Sequence, residues 1–115
     1  MAFDPGLAQI LRDDLTCQPI TEKKMFGGLC FLSGGHMICG LHKGGTMYRV
    51  GKDRYVEALT LPGVRPMLMG DRPMAAMVTL SLEDSADDNL RAPVLALALA
   101  TVQALPPKVA KPKKG

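Results

Sequence analysis

Leu29-Cys30-Phe31-Leu32-Ser33-Gly34-Gly35-His36-Met37-Ile38-Cys39-Gly40-Leu41 is the run that decides the fold. Two apolar stretches of strand length flank a glycine pair. A type I′ turn needs positive φ at both central positions, so Gly34-Gly35 predicts a two-residue β-hairpin. Such a turn fixes a register: Ser33 faces His36, Leu32 faces Met37, Phe31 faces Ile38 and Cys30 faces Cys39. Phe31 and Ile38 then share one face, and Cys30, Leu32, Met37 and Cys39 share the other. Both faces are apolar, whereas a hairpin at the surface of a monomer alternates apolar and polar residues. The hairpin is therefore expected to be covered on both sides, by helices on one and by a second subunit on the other.

Outward from the hairpin, glycine pairs at Gly27-Gly28 and Gly44-Gly45 separate further strand-like runs. Residues 20–26, 29–33, 36–41 and 46–50 read as four strands, and their short connections make neighbours antiparallel. Upstream, residues 4–15 read as a helix. Asp4 is a good N-cap, Pro5 suits the first helical position, and Leu7, Ile10, Leu11 and Leu15 form one stripe. Arg12, Asp13 and Asp14 face away from that stripe. Downstream, Gly51 breaks the strand run and Asp53 caps a short helix over 54–59. Two more strands, 65–69 and 76–82, are joined by Gly70-Asp71-Arg72-Pro73, a turn-rich tetrapeptide. The acidic stretch 83–88 leads into a last helix, since carboxylates suit the positive N-terminal end of the helix dipole. Pro93 is expected in its first turn, which puts the start between residues 87 and 92. From 94 to 105 only Thr101 and Gln103 are polar, and Pro106-Pro107 stops the helix. The predicted fold is α+β: an antiparallel sheet with helices mainly on one face, in the order α-β-β-β-β-α-β-β-α. Residues 1–107 make one domain, and 108–115 a flexible basic tail.

Composition agrees with a globular protein. The 115 residues are 47% apolar and 22% charged, with eight Met, no Trp, two Tyr and three Phe, so aliphatic residues and flexible Met must fill the core. The formal charge of +3 belongs to the tail, where Lys108, Lys111, Lys113 and Lys114 lie. With those four of the fourteen basic residues set aside, ten oppose eleven acidic ones, and 1–107 sum to −1. A domain-wide nucleic-acid footprint is not expected from that balance. Three Cys and an N-terminus lacking a basic and an apolar leader region point to reduced thiols and a cytoplasmic location. The longest apolar run, 92–102, is too short to cross a membrane.

The chemistry-bearing residues are few. In the hairpin register above, Cys30 and Cys39 are opposite each other, near enough for a cross-strand disulfide, which makes them a candidate redox pair. The plainer reading is two small buried hydrophobes. Zinc would need two more ligands, and neither His36 nor His42 is placed to provide one. The apolar neighbours of Cys30 and Cys39 raise thiol pKa, and no base accompanies Cys17, Cys30 or Cys39, so no nucleophile is assigned. The glycine pairs match neither the P-loop nor the dinucleotide pattern. No cofactor and no catalytic residue are expected. Arg49, Arg65 and Arg72 are candidate anion or nucleic-acid contacts, with a solvated surface as the ordinary alternative. Leu95, Leu97, Leu99 and Val102 cannot all lie on one stripe of a helix. Those turned away from the sheet make a candidate interface for a homodimer.

Lys23-Lys24-Met25-Phe26-Gly27-Gly28-Leu29-Cys30-Phe31 resembles the opening signature of the TfoX N-terminal domain family. The resemblance continues in Gly35-His36-Met37-Ile38-Cys39-Gly40, Met47-Tyr48-Arg49-Val50-Gly51, Pro62-Gly63-Val64-Arg65-Pro66-Met67, Gly70-Asp71-Arg72-Pro73-Met74 and Leu105-Pro106-Pro107-Lys108. It spans about residues 5–108. It implies an α+β domain and kinship with regulators of bacterial competence genes, here as a stand-alone N-terminal domain. The function expected is that of a non-enzymatic regulatory or protein-interaction module with an unidentified protein partner. The alternative is a nucleic-acid-associated accessory protein that uses the basic tail and the surface arginines, a weak and salt-sensitive mode of binding.

Overall fold

A computed structural model describes residues 4–16, 19–25 and 28–105. Helix α1 (Pro5–Asp14) starts as its sequence dictates: Asp4 Oδ1 accepts the Gly6 N–H at 2.7 Å, and Pro5 occupies the first helical position. Leu7, Ala8, Leu11 and Leu15 bury one face of it. Four strands follow, β1 (Thr21–Met25), β2 (Gly28–Ser33), β3 (His36–His42) and β4 (Gly45–Arg49). A 3-10 turn (Lys52–Arg54) leads into α2 (Tyr55–Leu59), then come β5 (Arg65–Met69), β6 (Arg72–Ser81), α3 (Leu82–Ser85) and α4 (Asp88–Gln103). The six strands form one antiparallel sheet in the order β1-β2-β3-β4-β6-β5. The α+β class and the predicted element order hold, with one short helix, α3, added before the last.

The covered face of the sheet carries Leu29, Phe31, Cys39, Leu41, Tyr48, Val78 and Leu80, all in one core with Leu7 and Leu11 of α1, Ala58 of α2, and Val94, Leu95, Ala98 and Val102 of α4. Each aliphatic or aromatic side chain buried here contributes about 1.5–3 kcal/mol.

Gly34 and Gly35 both take positive φ, 59° and 83°, as the hairpin requires. The register holds for Ser33 opposite His36 and Leu32 opposite Met37, then breaks. A β-bulge inserts one residue, so Phe31 faces Cys39 and Cys30 faces Gly40. Ile38 and Cys39 both join the core side, and every later residue of β3 is displaced by one. The expected pairing of Cys30 with Cys39 is therefore corrected: alternation along β2 puts them on opposite faces.

Three helix details also differ from expectation. Asp53 lies within the 3-10 turn, and neither that turn nor α2 has a side-chain cap. Ser81 caps α3 by accepting the Asp84 N–H at 3.1 Å. Asp87 caps α4 through the Asn89 N–H at 2.8 Å, which puts Pro93 in the second turn rather than the first. Pro93 leaves the Asn89 carbonyl without its helical donor, and exposed Asn89 can give that carbonyl to water. The expectations about Cys17, the Pro106-Pro107 stop and the tail from Lys108 lie outside the described residues.

Candidate functional site

Two regions gather polar or unpartnered groups: the junction of α1, α3 and α4, and the sheet face that carries none of the described helices.

At the junction, Arg91 of α4 is only 5% exposed. Its Nε donates to Asp14 Oδ2 at 2.8 Å and its Nη2 to Asp14 Oδ1 at 3.2 Å, a fork on the last residue of α1. Nη1 donates to the Ser85 carbonyl at 3.2 Å, and Nη2 also reaches Asp88. The carboxylate of Asp14 is the main reason the guanidinium is held above its ordinary pKa. Behind it, the buried Ser85 hydroxyl lies 2.6 Å from the Ser81 carbonyl. With its single proton used there, Ser85 Oγ accepts the Thr46 N–H at 3.0 Å and the Thr46 hydroxyl at 2.8 Å. This network joins β4, α3, α4 and α1. Sequence reading missed it, because Asp14 was expected to face solvent. The available signal was an arginine in the second turn of an otherwise apolar helix.

Beside α4 runs an open cavity of about 450 Å³, lined by Asp14, Asp88, Arg91, Leu95, Ala96 and Leu99 among others. Leu99 also lines a second cavity of about 230 Å³ against the β2–β3 turn, with Gly34, His36 and Ile38. Leu95 and Val102, two of the four candidate interface residues, are spent on the core of their own subunit. Leu97 and Leu99 are half-buried, and Ala92, Ala96, Gln103 and Ala104 form the exposed side of α4.

On the uncovered face, pairing runs Lys23–Cys30–Gly40–Met47–Thr79–Arg65 in one row across all six strands. Arg49 joins the same face two residues along from Met47, opposite Met77. Cys30 and Met47 are buried on this face, outside the core that the described helices share, and Leu32, Met37 and Met77 beside them are half-buried. His42, also on this face, is held below its ordinary pKa by partial burial. Its Nδ1 accepts the Gly44 N–H at 3.0 Å, so the neutral ring carries its proton on Nε2, 3.4 Å from the Thr79 hydroxyl. Arg49 and Arg65 thus share a face, two strands apart, while exposed Arg72 stands apart beside the β5–β6 turn.

Burial raises the pKa of both Cys30 and Cys39, the latter far above the ordinary range, which suppresses thiolate chemistry. Both thiols are free. Among the described residues no group of three or more His, Cys, Asp or Glu is gathered as a metal site, and no helix is long and apolar enough to cross a membrane.

Among known proteins, the family model described as TfoX N-terminal domain matches residues 13–101. No curated protein and no solved structure matches the chain.

Proposed function

The chain belongs to the TfoX N-terminal domain family, and from that premise we propose that it is a non-enzymatic, cytoplasmic regulatory module that acts by binding protein. The supporting observation, beside the family match, is the outer side of α4, where half-buried Leu97 and Leu99 lie among exposed Ala92 and Ala96. An apolar face left over by a complete core is the usual mark of an interaction surface. Kinship with competence regulators gives the module its setting, the control of bacterial competence genes through a contact with another regulator.

The module also pairs with itself as a homodimer. The α4 side suits that contact: the two cavities meet at Leu99, and Ala92 and Ala96 let another helix approach closely. The sheet face suits it less, because two copies would bring Lys23, Arg49 and Arg65 against their own kind.

Light scattering at micromolar concentration tests the homodimer: twice the chain mass is expected, and a monomer would overturn it. Competence-gene transcripts in a host strain lacking the chain test the regulatory role. Transcript levels should change and return on complementation, and unchanged levels would sink that role.

A further inference from the structure

The two cavities beside α4 make one groove along the helix, because Leu99 borders both. Its floor is open: Ala92, Ala96 and Gln103 are exposed and Leu99 is half-buried. One end lies at Leu105, against Gly34 of the β2–β3 turn. The other end lies at Asp14, Asp88 and Arg91. That second end is acidic. Arg91 is shared by Asp14 and Asp88, so the three groups sum to one negative charge, and the Asp88 side chain is 87% exposed. Glu83, Asp84 and Asp87 precede it at the same end of α4. The helix dipole places only about half a positive charge there, which these carboxylates outweigh.

Leu105 lines the groove and is the last described residue. The sequence continues Pro106-Pro107-Lys108-Val109-Ala110-Lys111-Pro112-Lys113-Lys114, with four lysines and no acid. We infer that the groove is the docking site of this segment of the same chain, with Val109 and Ala110 crossing Leu99 and the last lysines meeting Asp88. The lengths agree. From Leu105 back to Asp88 the helix measures about 26 Å. With Pro106-Pro107 turning the chain back, residues 108–114 extended at about 3.1 Å each cover about 22 Å, and a lysine side chain spans the remainder. Pro112 favours that extended backbone. Exposed lysine–carboxylate pairs are individually weak, but a segment joined to the end of α4 is already concentrated beside its site. The segment lies over the side of α4 that the self-contact uses, so it competes with a second copy. The competition rests on the homodimer proposed above; the docking does not.

The full-length chain is treated with a water-soluble carbodiimide, which joins a carboxylate to a neighbouring lysine amine as an amide with loss of water. Equal parts of unlabelled and nitrogen-15-labelled protein are used, so that mass spectrometry tells junctions within a chain from junctions between chains. Asp88 joined to Lys113 or Lys114 within one chain is the expected product, and its yield should fall at least about fivefold in roughly 0.5 M salt, where charges are screened. A Lys111→Glu/Lys113→Glu/Lys114→Glu variant leaves residues 4–105 untouched. It should shift the Leu99 methyl resonances and spare those of Leu11 and Leu80 in the core. With the competitor repelled, the dimer dissociation constant should fall about tenfold. Junctions formed only between chains, junctions spread equally to Glu57 and Asp71, or unmoved Leu99 methyls would overturn the docking. An unchanged dissociation constant would overturn the competition. If both proteins are monomers by light scattering, the homodimer reading fails, and the Asp88 junction and the Leu99 methyls still decide the docking.

Discussion

Arg91 and Asp14, 77 residues apart in sequence, are joined by two hydrogen bonds of 2.8 and 3.2 Å. The arginine side chain is 6% exposed and the aspartate 22%. The fork fixes α4 against the end of α1, and those two helices provide most of the cover over β2, β3 and β4.

Removing one partner from this pair should therefore be costly. Arg91→Leu leaves the Asp14 carboxylate and the Ser85 carbonyl without their donor, and about 2–3 kcal/mol of stability should be lost. Arg91→Lys keeps the charge but loses the fork and should lose less. The double variant Asp14→Leu/Arg91→Leu should recover much of the loss, because no unpaired charge remains. Urea unfolding of the unmodified protein, the Arg91→Leu and Asp14→Leu single variants and the double variant gives the coupling directly. If the double variant is as unstable as the sum of the singles, the pair is not coupled.

Tyr48 presents the opposite case. Its ring is fully buried, and its hydroxyl has no hydrogen-bond partner among the described residues. Burial drives its pKa far up; the neighbouring Thr46 side chain opposes that rise, yet it does not meet hydrogen-bond geometry with the Tyr48 oxygen. Tyr48→Phe should thus leave the melting temperature unchanged or raise it. A loss of more than about 1 kcal/mol would reveal a hydrogen bond, to buried water for example.

The thiols should behave as packing groups. Cys39 in the folded protein should resist alkylation at pH 8 and react once denaturant is added, because burial holds its thiol protonated. Mild oxidation should give no linked peptide containing both Cys30 and Cys39, since the sheet lies between them. Recovery of that peptide from native protein would restore the regular hairpin register.

How far this fold was legible depends on which residues carried a directional signal. The α1 cap rests on Asp4-Pro5, and the hairpin turn rests on Gly34-Gly35; both are local devices with one conformational use, and both were read correctly. The bulge was not, and its neighbours explain why. Met37, Ile38 and Cys39 are all apolar, so displacing the strand by one residue exchanges one apolar side chain for another and leaves no trace in the pattern. Gly40 was the one hint, because a side chain there would meet the Leu29 carbonyl oxygen at 2.7 Å. The Arg91–Asp14 fork was invisible for a different reason: it joins the two ends of the chain, and nothing local marks either member. Arg49 and Arg65 were singled out by family motif, but their sharing of a face with Lys23 depends on the β4-β6-β5 strand order, which short-range reading does not supply.

Acid should weaken the fold in two stages. Partial burial holds His42 below its ordinary pKa of 6.5, so the folded chain resists the proton that the unfolded chain accepts. Stability from this source is complete above pH 6.5 and declines as pH falls from there toward the depressed folded value. Arg12 holds Glu22 below its ordinary 4.5, and that contribution is present above pH 4.5 and lost as pH falls further. Melting temperatures between pH 8 and 3 should show both slopes. His42→Gln should flatten the first and leave the second.

The leucines of α4 separate folding from assembly. Leu95 is 7% exposed and lies within the core, so Leu95→Glu buries an unpaired carboxylate and should unfold the chain, a loss on the order of 3 kcal/mol or more. Leu99 is half-buried and borders both cavities beside α4. A glutamate at 99 can turn its carboxylate into the open cavity, so Leu99→Glu should keep the native circular dichroism spectrum while halving the mass seen by light scattering. A folded Leu99→Glu variant that remains dimeric would move the self-contact away from this side of α4. The like charges of Lys23, Arg49 and Arg65 disfavour pairing through the sheet face, so the next contact to test is an edge strand, β1 or β5, whose outer backbone groups have no strand partner among the described residues.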